Sequence, residues 1–339
     1  MGVRIAPVDE DDDHDIKSLH HVAAASRAAD VPDFPELTVR ETYGWVRHPW
    51  PTSDRFHFLA RLDGQAAGFL VLSLPRTDNT HLVNVDLGVH PNLRRRGVGR
   101  AMFEFATEFA RAKGRNLLIG DYGMTLPGGP ARDPGPAAFA AAMGVSPALP
   151  EVRRRLDLDT VDKDTWNELT AEAQSMATGY TLLSWVGAAP DDVVAEVARL
   201  EGRMVTDAPM GDLRYEPEKY DAERIRGNER VLELRGHRHY HAAVRHDATG
   251  QLAAWTMISF DADITAQAWQ QTTIVDPDHR GHRLGMLVKL ENLHYTLAHE
   301  PELRFIDTWN AAENKHMIAI NEAIGFRAVD GWVDWQHDV

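Results

Sequence analysis

Cysteine is absent from the 339 residues, which removes disulfides, thiolate catalysis and Cys-based zinc sites together. Long apolar runs are missing as well, since no uninterrupted stretch approaches the roughly 20 residues that cross a bilayer. Met1 to Asp15 is acidic and lacks an apolar core, so it does not read as a signal peptide. Basic charge is in deficit: 36 Lys and Arg stand against 51 Asp and Glu, for a net charge of −15. That balance argues against general nucleic-acid binding through a basic surface. These absences point to a soluble, cytoplasmic chain, monomeric or homodimeric, with neither nucleic acid nor membrane as a partner.

What is present is an ordinary globular composition, 43% hydrophobic and 26% charged, at a length that suits two domains. A strand over Val3–Pro7 precedes a helix over Asp11–Ala29, where Ile16, Leu19, Val22 and Ala23 recur at helical spacing. Residues 31–52 read as a helix-and-loop segment. Asp63-Gly64 between two apolar runs predicts a hairpin. A strand over His81–Val89, a loop, a helix over Ala101–Lys113 and a short strand over Arg115–Ile119 follow. Residues 120–136 are rich in Gly and Pro and read as loop. A short helix then ends at Gly144, and Glu151–Leu158 reads as a last strand. The order predicts an α/β fold with a mixed sheet and helices on both faces.

From Tyr180 the same order restarts, with a second hairpin around Asp247–Gly250. Eight positions separate Pro91 from Gly99, and eight separate Pro277 from Gly285. Arg94 aligns with Arg280, Val98 with Leu284 and Val89 with Val275, so the chain is an internal duplication. The division expected is 1–158 and 179–339, joined by a polar linker at 159–178 that is read as partly helical over Trp166–Met176.

The two matched loops, Arg94-Arg95-Arg96-Gly97-Val98-Gly99-Arg100 and Arg280-Gly281-His282-Arg283-Leu284-Gly285, each join a strand to a helix. Glycines and basic residues at a helix entrance suit a polyanion, because backbone N–H groups point outward there and the helix dipole favours negative charge. The spacing does not fit the dinucleotide fingerprint, and neither loop carries Gly-Lys-Ser/Thr.

A strand ending in V-x-P followed by R-x-x-G-x-G resembles the acetyl-CoA pyrophosphate loop of the GNAT N-acetyltransferase superfamily. The first loop matches that pattern fully, and the second departs at Arg283, where the family has its first glycine. Asn310, Asn314, Asn321 and Gly325-Phe326 resemble the family's next strand–helix segment. The resemblance spans nearly the whole chain, once per half, in the manner of bacterial tandem acetyltransferases. It implies two GNAT domains, acetyl-CoA as cofactor and a small-molecule amine as acceptor. The alternative is an acetyl-CoA-binding protein without turnover, a sensor or pseudoenzyme.

The resemblance also assigns roles. Both loops, together with Leu87, Val89, Val275, Asn310 and Asn314, would hold the cofactor, the two asparagines being helix-cap candidates as well. Asp86, on the strand five residues before Pro91, is a candidate base or else a solvated strand acid, and Thr272 holds the equivalent position in the second half. The family's acid tyrosine is replaced by Ala140 in one half and Asn321 in the other, which leaves Tyr122 as the substitute. Asp207 and Asp212 would face the amine beside Met204 and Met210, or else belong to a packed loop. His237, His239 and His241 share a strand face. They are open to substrate contact or base duty, or are surface histidines; no matching carboxylate follows, and no metal site is assigned.

Overall fold

Periodicity and chain punctuation resolve into twelve strands and ten α-helices in a computed structural model that describes residues 2–339. The first elements are β1 (Val3–Pro7), α1 (Asp13–Asp30), α2 (Val39–Arg47), β2 (Ser53–Leu62), β3 (Gln65–Pro75) and β4 (Leu82–Val89). Next come α3 (Val98–Ala112), β5 (Leu117–Met124), α4 (Gly135–Met143), β6 (Ser146–Asp157), α5 (Lys163–Met176) and β7 (Tyr180–Val186). Helices α6 (Val194–Glu201), α7 (Met204–Asp207) and α8 (Ala222–Arg235) lead to β8 (Arg238–His246), β9 (Leu252–Phe260) and β10 (Gln267–Val275). The chain closes with α9 (Leu284–His299), β11 (Phe305–Ala311), α10 (Lys315–Ile324) and β12 (Arg327–Asp338).

Two compact units result. Unit 1 comprises Met1–Glu151, Met210–Glu216 and Asp330–Val339; unit 2 comprises Val152–Pro209 and Pro217–Val329. In unit 1 the strands run in the order β1-β2-β3-β4-β5-β12. The β2–β3 hairpin turns on Asp63 and Gly64, both at positive φ, as the two-residue turn requires. Val98, Met102, Phe103, Ala106 and Ala110 form the buried stripe of α3 against one sheet face. Ile16, Leu19 and Val22 of α1 pack with Leu59 and Phe69 on the other.

In unit 2 the order is β6-β11-β10-β9-β8-β7. Helices α5, α9 and α10 share one core with Tyr240, Phe260 and Ile306. Val194, Val197 and Leu200 of α6 and Ile225 of α8 pack with Trp185 and Trp255 in another. No helix is long and apolar enough to cross a membrane among the described residues.

Three expectations need correction. Residues 120–124 are strand, because β5 pairs with β12 along its whole length, from Leu117↔Asp338 to Met124↔Gly331. Gly120 mimics a turn in the sequence but makes room for the Trp335 ring, 2.4 Å from where a Cβ would stand. The 159–178 stretch is not an independent linker. It holds α5, whose Trp166 is 2% exposed within the core of unit 2. Finally, the strand expected over Glu151–Leu158 begins earlier, at Ser146, and its 152–157 part belongs to unit 2 rather than to the first half. Alternation reveals a strand but not the sheet that receives it.

Trp166 Nε1 also donates to the Ile324 carbonyl at 2.7 Å. Trp166→Ala should therefore cost unit 2 about 3–5 kcal/mol, read as a lower urea midpoint for that unit; an unchanged midpoint would return α5 to linker status.

Candidate active site

Strands β4 and β5 run parallel but pair only at Leu82↔Leu117, Val83↔Leu118 and Asn84↔Ile119 among the described residues. Beyond Asn84, β4 stays with β3 as far as Gly68↔Val89, and β5 stays with β12. The two facing edges therefore separate into a fork. Asp86 lies just past the branch point and Val89 at its tip.

The first loop follows. Pro91–Leu93 makes a 3-10 turn, then Arg95 and Gly97 take left-handed conformations at φ 63° and 86°. Nothing lies within 4 Å of a Cβ at Gly97, so the backbone angle selects glycine there. Helix α3 begins without a side-chain cap and with no acid in its first turn, whereas Asp12 and Thr38 cap α1 and α2. Its leading N–H groups are thus left for an external acceptor. Arg95, Arg96 and Arg100 are exposed. Arg96 stands 3.7 Å from Asp63, and Arg95 and Arg100 form no ion pair among the described residues.

Arg94 behaves differently from its neighbours. It donates to the Val89 carbonyl and to Ser26, and pairs with Asp30 at 2.8 Å and Asp133 at 2.6 Å. Its charge is consumed in tying the loop to α1 and to the segment before α4. Leu87 and Val89 pack against the unit 1 core and Val98 is 1% exposed, which leaves their backbones for a ligand. Gly99 faces Phe139, 3.1 Å from where a Cβ would be.

On the α1 side of the sheet, at the fork, lies a cavity of about 230 Å³. Asp86, Asp121 and Asp334 line it from three successive strands, with Arg55, Asn84 and Tyr215 around them. Asp121 is paired directly with Asp334, and continuing the β4–β5 register would set Asp86 opposite Asp121. Like charges so placed resist joint ionisation. Burial, then Asp86 and Asp334, push Asp121 up to about 7; burial and Glu151 push Asp334 up to about 7. Asp86 is raised by burial as well, with Arg55 and Arg27 pulling it back. Asp86 and Asp121 retain accessible surface, but it faces the cavity: protein crowds each carboxyl while leaving it reachable. Tyr215 donates to Asn84 Oδ1 at 2.7 Å.

Of these residues the sequence pointed only to Asp86. Asp121 sits between glycines in a stretch that reads as loop, while Asp334 and Tyr215 come from distant parts of the chain. The strand register, unseen in the sequence, was the signal. Tyr122 lies on β5 and not in a loop; alternation sends it to the face opposite Asp121, where it packs against the unit 1 core.

Unit 2 repeats the fork. Strands β10 and β11 pair only from Gln267↔Phe305 to Trp269↔Asp307 among the described residues, and β10 bulges against β9 between Gln270 and Thr273. In its loop Gly281 and Arg283 occupy the left-handed positions, at φ 89° and 54°. The same backbone is built with glycine and arginine exchanged. Helix α9 also starts uncapped and without an acid, and Leu284 is 1% exposed while Val275 packs on the core. Gly285 lies near Val275 and Ile320, whose side chains are 3.4 Å from where a Cβ would stand. The loop cations are neutralised from within the unit. Arg280 meets Asp207 at 3.4 Å and Arg283 meets Glu172 at 2.8 Å, while His282 Nδ1 sits 3.4 Å from the Met176 carbonyl.

Thr272, at the position of Asp86, acts on Glu201 at the end of α6. Burial pushes Glu201 up to about 7, Thr272 opposing, and its Oε2 is buried with no hydrogen bond. Asn321 is fully buried and donates to Asn310 Oδ1 at 2.7 Å. Asn314 is the cap of α10, accepting from the Met317 N–H.

The acceptor-side residues expected from the sequence fall in both units. Asp207 belongs to unit 2, paired with Arg203 and Arg280, and Asp212 is an exposed residue of unit 1. His239 and His241 are buried, at 4% and 6% exposure, and are not surface histidines. His241 stacks on Trp185 at 4.9 Å and accepts from Trp255 Nε1. Burial drives His239 down to about 4 and His241 well below the usual imidazole range.

A carboxyl whose folded pKa lies above its unfolded value resists ionising, so the unit loses stability as pH rises from the ordinary carboxylate range toward about 7. Asp334→Asn should then stabilise unit 1 by roughly 1–2 kcal/mol near pH 8 and by nearly nothing near pH 4. Urea unfolding at both values checks this, and an equal difference at the two would refute the shared-proton row.

The GNAT acetyltransferase family model matches residues 19–119. Among solved structures, a tandem GNAT protein from the clavulanic acid biosynthesis pathway is 35% identical, with 99% of this chain and 98% of that one covered and a TM-score of 0.83. A GCN5-related N-acetyltransferase from Sphaerobacter thermophilus has 14% identity, coverage of 99% and 95%, and a TM-score of 0.64. Saccharomyces cerevisiae N-myristoyltransferase with bound myristoyl-CoA has 12% identity, coverage of 98% and 78%, and a TM-score of 0.61. These last two share the fold. Comparison with curated proteins finds no match. Matched end to end by a tandem relative at 35% identity, the chain belongs to the GNAT acetyltransferase family.

Proposed function

We propose that this protein moves an acetyl group from acetyl-CoA to the primary amine of a small molecule, and that unit 1 is the reaction site. The observation that carries this is the acid-lined cavity at the β4–β5 fork, close in the fold to the uncapped entrance of α3. Bound acetyl-CoA supplies the acetyl thioester. Over the reaction a C–N bond to the amine replaces the C–S bond, and CoA leaves as its thiol.

The loop residues fit the cofactor's pyrophosphate. Free N–H groups at the start of α3 would donate to its oxygens, and the exposed Arg95, Arg96 and Arg100 would add positive charge. The fork opens the β4 edge near Val89 to the pantetheine arm. The row Asp86–Asp121–Asp334 attracts an ammonium ion and takes its proton. A base whose pKa lies near the working pH serves that step well, and the upward shifts in the row move carboxyls toward that range. Asp86, nearest the fork, is the residue assigned to the transfer.

The rival reading is an acetyl-CoA-binding protein without turnover. It is favoured by Ala140 and Asn321 at the two positions of the family's acid tyrosine, both of them buried.

Calorimetric titration should show acetyl-CoA binding that Gly97→Glu weakens at least tenfold, since the new side chain is strained at positive φ and repels phosphate. Undiminished binding by that variant would remove the loop from the site. With an accepted amine, Asp86→Asn should lower kcat by about 10²–10⁴. The rate should rise with pH through about 7, as the row loses protons. Cofactor binding with no amine-dependent CoA release would support the rival.

A further inference from the structure

We propose that the unit 1 cavity is built for an amino acid, a small primary amine that also carries a carboxylate. This rests on the acetyl-transfer reading for the fate of the amine, but recognition of the zwitterion stands apart from turnover.

The key residue is Arg55 on β2. It lines the cavity, its Nε is buried without a hydrogen bond, and it forms no ion pair among the described residues. Arg55 is half-buried; of the guanidinium groups buried elsewhere, two are matched by carboxylates, while Arg154 has no ion pair among the described residues. Arg132 is held by Asp33 and Asp330, and Arg153 by Asp307. An unmatched cation of this kind is costly unless something supplies its partner. Asp86 is near enough to act on Arg55 electrostatically, yet the two are not in ion-pair contact.

The cavity is therefore bipolar. Arg55 stands on β2, while the carboxyls stand on β4, β5 and β12, with β3 between. A simple amine would satisfy the carboxyls and leave the guanidinium unmatched. A simple carboxylate would do the reverse and face three acids. A molecule bearing both groups satisfies both ends, and the planar guanidinium fork suits a carboxylate bidentately. Tyr215 donates to Asn84 Oδ1, and both add neutral polar lining to the cavity. The volume of about 230 Å³ is below the usual range for ligand pockets and restricts the occupant to a small molecule. Oriented this way, the amine lies toward Asp86 and the fork, and the carboxylate lies away from it.

The test uses the full-length protein, acetyl-CoA and a panel of proteinogenic amino acids with β-alanine and γ-aminobutyrate, each beside its own carboxamide. Release of CoA thiol reports turnover, and calorimetry without acetyl-CoA reports binding. At least one amino acid should exceed its carboxamide in kcat/KM by roughly 10–100-fold, the worth of a charge-assisted contact. Arg55→Gln should collapse that ratio toward one, and Arg55→Lys should restore part of it. Arg55-dependent binding of an amino acid without turnover would keep this proposal and defeat acetyl transfer. Turnover of amines with no preference for a carboxylate would keep acetyl transfer and defeat this proposal. The wild-type ratio decides even if the variants misfold, and a panel that neither binds nor reacts overturns the proposal.

Discussion

Two parallel neighbours that stop hydrogen bonding partway along their length leave backbone N–H and C=O groups in need of other partners. In unit 1 this happens after Asn84 and Ile119. The outer edges of both strands remain paired, so the opening is held rigidly instead of fraying. A fork of this kind offers extended backbone to a long polar molecule. Everything assigned to the site in unit 1 is arranged about it, with the loop and α3 toward the tip of β4 and the carboxylate row beside the branch point.

The carboxylate row imposes the second constraint. Three acids on one face of adjacent strands work against the folded state whenever all are ionised. Ordinary core design would remove them, and the sheet instead carries that cost beside a cavity. Arg55 lies close enough to moderate Asp86 without neutralising it. The charge distribution is left open for a ligand to complete.

The duplication shows how one backbone can diverge in chemistry. Both loops adopt left-handed conformations at the same two positions, once as Arg95 and Gly97 and once as Gly281 and Arg283. The loop shape survives the exchange, but its charges do not stay equally free: Asp207 and Glu172 engage the second loop. Near the forks the acid has moved from the strand, where Asp86 stands, to a helix end, where Glu201 meets Thr272.

The sequence by itself determined the class of fold, the repeat and the two glycine- and arginine-bearing loops at helix entrances. Those depend on local periodicity, on glycine at positive φ and on helix entrances, all readable within a dozen residues. It also singled out Asp86, because a lone acid in an apolar strand is conspicuous. Only the tertiary structure decided which strand joined which sheet, and that depends on contacts between segments far apart in the chain. Asp334 reaches the cavity from the last strand and Tyr215 from the second half of the sequence. For the same reason Arg94, which looked like a phosphate ligand, proved to be tied by Asp30 and Asp133, and His241 of β8 proved to be buried against tryptophan. A side chain's chemistry is written in its own residue, but its availability is set by neighbours that only folding brings near.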